Sequence, residues 1–131
     1  MILLDTTSLI WWVNRHAELS AAALGHIERQ RPGGKILISA LSAWDIAHWA
    51  ALGRLGLRME PAAWLALIAA IPEVSFVPMD NEIALQAATL PEPAPAPLPA
   101  RILIATARRH GCPLVTSDES LCAYPHIKTL W

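Results

Sequence analysis

Short apolar runs alternate with helical stretches along this chain, and that alternation constrains its fold more than any other feature. Residues 2–5 (Ile-Leu-Leu-Asp), 35–39 (Lys-Ile-Leu-Ile-Ser), 74–77 (Val-Ser-Phe-Val) and 114–116 (Leu-Val-Thr) read as strands, and 127–129 offers a fifth. Strands this apolar are buried on both sides. With helices between them, they are expected to form a parallel sheet covered on both faces. The 131 residues are expected to make one domain, 1–131, long enough to bury a core without staples.

Helix signals fall between the strands. Thr6 to Asn14 reads as helical, and Ser20 caps a helix carrying Leu24, Ile27 and Glu28 that stops at Pro32-Gly33-Gly34. Leu41 to Leu52 is closed by Gly53, Pro61 opens a helix to Ile71, and Asp80 caps one that runs to Leu90. Residues 91–99 hold five prolines in nine positions, which makes a stiff extended loop. Pro99 is expected at the first position of the last long helix, which ends at Gly111.

Composition narrows the function. A net charge of −1 gives no general basic footprint for nonspecific duplex DNA binding, while leaving open a local cleft that meets RNA. Cys112 and Cys122 lack a zinc spacing and read as reduced thiols. No apolar run approaches a membrane span, and no basic segment precedes an apolar stretch at the N-terminus. A cytoplasmic protein without membrane contact is therefore expected. Six tryptophans beside one phenylalanine and one tyrosine are unusual; Trp11, Trp12, Trp44, Trp49 and Trp64 all fall in expected helices, as core or as a partner surface.

Parallel α/β sheets bind ligands at the carboxyl ends of their strands, where Asp5 and Asp118 stand. Each has a local reading as a helix cap, and Asp45 has one as the third residue of a capping box opened by Ser42. Taken together these readings weaken. Asp45 shares a helix face with Leu41 and Leu52, four and seven residues away, and that face should meet the core. A buried carboxylate needs a compensating partner, and a cation held jointly with Asp5 and Asp118 would supply one. Oxygen donors suit Mg²⁺ or Mn²⁺, and such a centre activates water for phosphodiester displacement. Ala100 follows Pro99 in the first turn of the helix, with Leu98 in the capping position; the helix dipole favours an acid in that turn and none is present.

Several segments now form an ordered set: Leu3-Leu4-Asp5-Thr6 with Trp11-Trp12, Ser39-Ala40-Leu41-Ser42-Ala43-Trp44-Asp45-Ile46-Ala47, Gly53-Arg54-Leu55, Arg101-Ile102-Leu103-Ile104-Ala105-Thr106-Ala107, Leu114-Val115-Thr116-Ser117-Asp118-Glu119 and Thr129-Leu130-Trp131. In order and spacing they resemble the PIN-domain ribonucleases, most closely the VapC-type toxins of toxin–antitoxin pairs. The resemblance runs nearly end to end. It implies a PIN-like α/β/α sandwich with a central parallel sheet of four to five strands. It also implies Mg²⁺- or Mn²⁺-dependent cleavage of RNA of the tRNA or rRNA class, a cognate antitoxin and a homodimer. Asp5, Asp45 and Asp118 match catalytic, metal-holding acids, with Asp45 where the family usually has glutamate. Thr6 and Thr116 match polar positions that support the carboxylates. Ala100 takes the place of the third acid, and a methyl group cannot ligate a cation. The resemblance therefore implies a nuclease inactivated at that position. The otherwise intact motif favours a deliberate replacement over natural decay.

Glu119 either joins the acidic cluster or caps its own helix. Arg101, beside the vacated position, is the arginine expected to meet RNA phosphate. His48, one turn after Asp45, either packs or supports the site. A phosphatase with Asp5 as nucleophile would want a second acid two residues on, where Thr7 stands. The alternative in another class is a non-catalytic protein that keeps the fold and engages an antitoxin.

Overall fold

The apolar runs pair as five parallel strands. The computed structural model describes all 131 residues. In chain order its elements are β1 (Ile2–Leu4), α1 (Thr6–Val13), α2 (Ala21–Glu28), β2 (Ile36–Ser39), α3 (Ala40–Ala51), α4 (Pro61–Ala69), β3 (Val74–Val77), α5 (Asn81–Ala88), α6 (Leu98–His110), β4 (Leu114–Val115), α7 (Glu119–Cys122) and β5 (Thr129–Leu130). The strand order is β3-β2-β1-β4-β5, with Leu3 opposite both Leu37 and Leu114.

Successive strand side chains point to opposite faces, so each strand feeds two cores. Ile2, Leu4, Ile36, Ile38, Val74 and Val115 meet Leu9, Trp12, Ile27, Ile46, Trp64 and Ile68 from α1 to α4. Leu3, Leu37, Val77 and Leu114 meet Ile83, Ala87, Ile102, Ala105 and Leu121 from α5 to α7. This is the expected α/β/α sandwich. No helix is long and apolar enough to cross a membrane.

The structure differs from the sequence reading at several boundaries. Ser39 caps α3 by accepting the Leu41 N–H at 3.1 Å, so Ser42 opens no capping box. Leu52 ends that helix half exposed, and the buried face carries Ser42, Asp45 and Ile46 instead. α6 starts at Leu98 with Pro97 as its cap, which puts Pro99 at the second position. The last strand is 129–130 rather than 127–129. Of the tryptophans, Trp12 and Trp64 are buried, whereas Trp44 is exposed.

α6 delivers the chain to β4 through Gly111, whose φ of 59° is left-handed. The Gly111 N–H reaches Arg108 O and the Cys112 N–H reaches Ala107 O, closing the helix end. A Cβ there would meet open space, so the cost of Gly111→Ala is backbone strain alone. Denaturant unfolding should show a loss of about 1 kcal/mol.

Candidate functional site

The chain steps from β1 to β2 and β3 on one side, then crosses to β4 and β5 on the other. Strand order therefore reverses between β1 and β4, and parallel α/β sheets place their ligand sites at the carboxyl ends of the strands beside such a reversal. Asp5 follows β1, and Thr116 to Asp118 follow β4.

Asp5 is buried, and both of its oxygens are held. Oδ1 accepts the Ser8 N–H at 2.7 Å, capping α1, and Oδ2 accepts the Thr116 hydroxyl at 2.5 Å. Thr116 Oγ1 in turn accepts the Asp118 N–H at 3.1 Å, so one hydroxyl joins the two acidic segments. Asp118 caps α7: Oδ1 accepts from Ser120 N (2.8 Å), Ser120 Oγ (2.6 Å) and Leu121 N (3.2 Å). The capping readings of Asp5 and Asp118 are thus correct as geometry. They leave Asp118 Oδ2 without a protein donor.

Asp45 reaches the same end of the sheet from α3. Its Oδ2 accepts the Thr6 hydroxyl at 2.7 Å, and Thr6 Oγ1 lies 2.8 Å from Ser42 Oγ. Thr6 has one hydroxyl proton, and an ionised Asp45 takes it. Ser42 must then donate to Thr6. Asp5 and Thr6 are adjacent in the chain, which brings together two separate hydrogen-bonded sets, Ser42–Thr6–Asp45 and Asp5–Thr116–Asp118.

Burial pushes the Asp5 carboxyl above its ordinary range, against the hydrogen bonds from Thr116 and Ser8. Burial also raises Asp45, opposed by the Thr6 hydrogen bond and by His48. Asp118 is lowered, first by the Ser120 hydroxyl. No cationic side chain pairs with any of the three: the ion pairs are Arg31–Glu73, Arg101–Glu92 and Arg109–Glu82. Two buried carboxylates without a salt-bridged cation are costly unless something else neutralises them. Their all-oxygen chemistry fits a hard divalent cation. Even so, no three acidic, histidine or cysteine side chains converge closely enough to hold a metal ion. Ala100, half buried as the third residue of α6, presents a methyl group to the second core.

Other expected residues fall differently. Arg101 is not turned to solvent for RNA. Its Nε donates to Ala87 O at 2.8 Å, Nη1 to Pro95 O at 3.0 Å, and Nη2 to Ala88 O and Glu92 Oε1, both at 3.3 Å. It clamps the proline loop to the carboxyl end of α5, where a cation suits the helix dipole. Glu119 is the exposed first residue of α7. His48 is exposed and stacks on Trp44. The sequence reading assigned Ser42 only a capping role and assigned Ser8 and Ser120 no part in the site. Ser8 and Ser120 lie three and two residues after a capping aspartate, a spacing that could have flagged them; Ser42 carries no such signal.

A family model for the PIN domain matches residues 2–127. Ribonuclease VapC22 of Mycobacterium tuberculosis (strain ATCC 25618 / H37Rv) is 31% identical over 132 residues, covering 99% of this chain and 98% of that protein. The chain is a PIN-domain protein of the VapC type. Solved structures share its fold at lower identity. VapBC2 from Rickettsia felis, bound to a DNA fragment from its promoter, superposes with a TM-score of 0.71 at 12% identity, over 98% of this chain and 97% of that one. A toxin–antitoxin complex from Klebsiella pneumoniae gives 0.64 at 19%, over 96% and 94%. The family is one of nucleases. In this PIN domain, Asp5, Asp45 and Asp118 occupy the carboxyl edge of the sheet, and position 100 carries no acid.

Proposed function

We propose that this PIN domain is the toxin of a toxin–antitoxin pair: an endoribonuclease dependent on Mg²⁺ or Mn²⁺, disabled by alanine at position 100. The observation that carries the reading is the pair of buried carboxylates, Asp5 and Asp45, with no cationic partner at the reversal of strand order. The 31% identity to a named ribonuclease supports the chemistry, and the toxin–antitoxin complex among the structural neighbours supports an antitoxin as partner. RNA of the tRNA or rRNA class, a second copy of the chain and a cytoplasmic setting complete the proposal.

Asp5, Asp45 and Asp118 would hold the cation. When bound, it supplies a more acidic water and charge to offset the phosphodiester. Thr116 orients Asp5 and ties it to the backbone of Asp118. Thr6, itself held by Ser42, orients Asp45. Each threonine fixes a carboxylate before substrate arrives, so little rearrangement is left for the reaction. Glu119 extends the acidic edge next to Asp118. The methyl group at position 100 and the lack of three converging ligands favour a second reading for the chain as it stands: a non-catalytic protein that engages an antitoxin.

RNA cleavage with Mg²⁺ or Mn²⁺ separates the two, comparing this chain with Ala100→Asp, each free of antitoxin. Cleavage by Ala100→Asp alone, stopped by EDTA, supports the nuclease. No cleavage by either across a broad panel of cellular RNAs leaves the binding protein. Cleavage by the chain as it stands would refute the role given to position 100.

A further inference from the structure

We propose that Trp44, stacked on His48, is a platform for an unpaired nucleobase of the RNA strand that enters the acidic site; this inference rests on the nuclease reading above. Trp44 directly precedes Asp45, so their Cα atoms are about 3.8 Å apart. Asp45 turns inward to Thr6, while Trp44 points out with 58% of its surface exposed. Its ring stacks on that of His48, with centroids 4.4 Å apart and planes at 23°. The stack covers only part of the indole and leaves surface for a third ring.

Trp44 is the fifth residue of α3, and α3 begins directly after β2, at the same sheet edge that carries the acids. An exposed tryptophan one residue from a proposed phosphodiester-cleaving acid is where a base beside the bound phosphate would come to rest. Proteins that bind single-stranded nucleic acid hold splayed bases on aromatic faces in this way.

Charge favours a polyanion over a second copy of the chain. From Ala40 to Met59 the only acid is Asp45, which is buried, while Arg54 and Arg58 are exposed; the next acid is Glu60. Neither arginine is in an ion pair. In a chain of net charge −1, this stretch is locally positive. A two-fold contact built on it would set like charges against each other, whereas a nucleic-acid strand along α3 would meet them with phosphates. Stacking accepts any base, so the platform sets the position of the strand rather than its sequence.

The chain as it stands suits the test, because alanine at position 100 lets binding be read apart from cleavage. Affinity for labelled single-stranded oligoribonucleotides of mixed sequence should fall about tenfold in Trp44→Ala and stay near the parent value in Trp44→Phe. In the Ala100→Asp background, Trp44→Ala should raise KM by a similar factor and leave kcat little changed. Equal affinity for all three proteins overturns the proposal, as does an effect of Trp44→Ala confined to oligomeric state, or a parent chain that binds no oligoribonucleotide. Cleavage by Ala100→Asp reports separately on the nuclease reading, so failure of the platform and failure of the nuclease are distinguishable.

Discussion

Replacing Ala100 with aspartate raises RNA cleavage in Mg²⁺ or Mn²⁺ by about two orders of magnitude or more, the scale on which single charged or hydrogen-bonding groups act in preorganised sites. Position 100 is the third residue of α6, whose first turn carries no acid and whose capping residue, Pro97, makes no side-chain cap. A carboxylate there gains from the helix dipole and from the unpaired N–H groups. The residue is only half buried, so the larger side chain has room to turn out. Arg101 does not neutralise it, because its guanidinium is occupied by Ala87, Ala88, Pro95 and Glu92. Ala100→Asn separates charge from shape: it restores the bulk and a polar group but no anion, and cleavage should stay at the level of the parent chain. Titrating the metal at fixed RNA should also show half-saturation at lower concentration in Ala100→Asp than in the parent. If Asn activates as well as Asp, the vacancy is one of packing or hydrogen bonding, and the missing-ligand account is wrong.

The sequence made the layered architecture legible because local patterns carry it. Three- and four-residue apolar strands and the helix signals between them lie in contiguous residues. Asp5 and Asp118 were legible for the same reason, as acids just past apolar strands. Contacts between distant segments were not. Nothing in the neighbourhood of Arg101 shows that its donors close on carbonyls 13 and 14 residues earlier. Nothing local tells Ser42 to bond Thr6, 36 residues away, when its spacing to Asp45 suggests a cap. The burial of α3 was misjudged at Leu52 because the helix ends there, and a terminal residue escapes the face that its period assigns. A pattern of four and seven residues identifies a face; only the packed partner decides where along the helix that face is covered.

Asp5→Asn, placed in the Ala100→Asp background, abolishes cleavage and yet makes the metal-free protein more stable at neutral pH. Activity should fall at least about a hundredfold, because a neutral amide cannot replace a carboxylate beside a cation. Stability follows from proton linkage. Burial raises the Asp5 carboxyl above its ordinary value of 3.8, so just above that pH the folded chain keeps a proton that the unfolded chain has lost. Unfolding then releases a proton, and stability falls as pH rises through the window between the unfolded and folded values. Above the folded value the whole penalty is present; below 3.8 both states are protonated and it vanishes. Asparagine removes the charge and keeps the cap, since its Oδ1 still accepts the Ser8 N–H. Its amide can donate to Thr116 Oγ1, although the Thr116 hydroxyl must then find another acceptor, which limits the gain. A net increase of about 1 kcal/mol is expected, in the range of other relieved active-site groups. That corresponds to a Tm roughly 3 to 5 °C higher at neutral pH. Asp45 is also raised by burial and adds its own slope, so the informative quantity is the difference between variant and parent at each pH, measured in EDTA. That difference should shrink towards zero in acid. It should also narrow when Mn²⁺ is added, because only the aspartate form gains from the cation. A variant no more stable than its parent in EDTA at neutral pH would mean that Thr116 and Ser8 already compensate the buried charge, and that the site needs no cation to be tolerated in the fold.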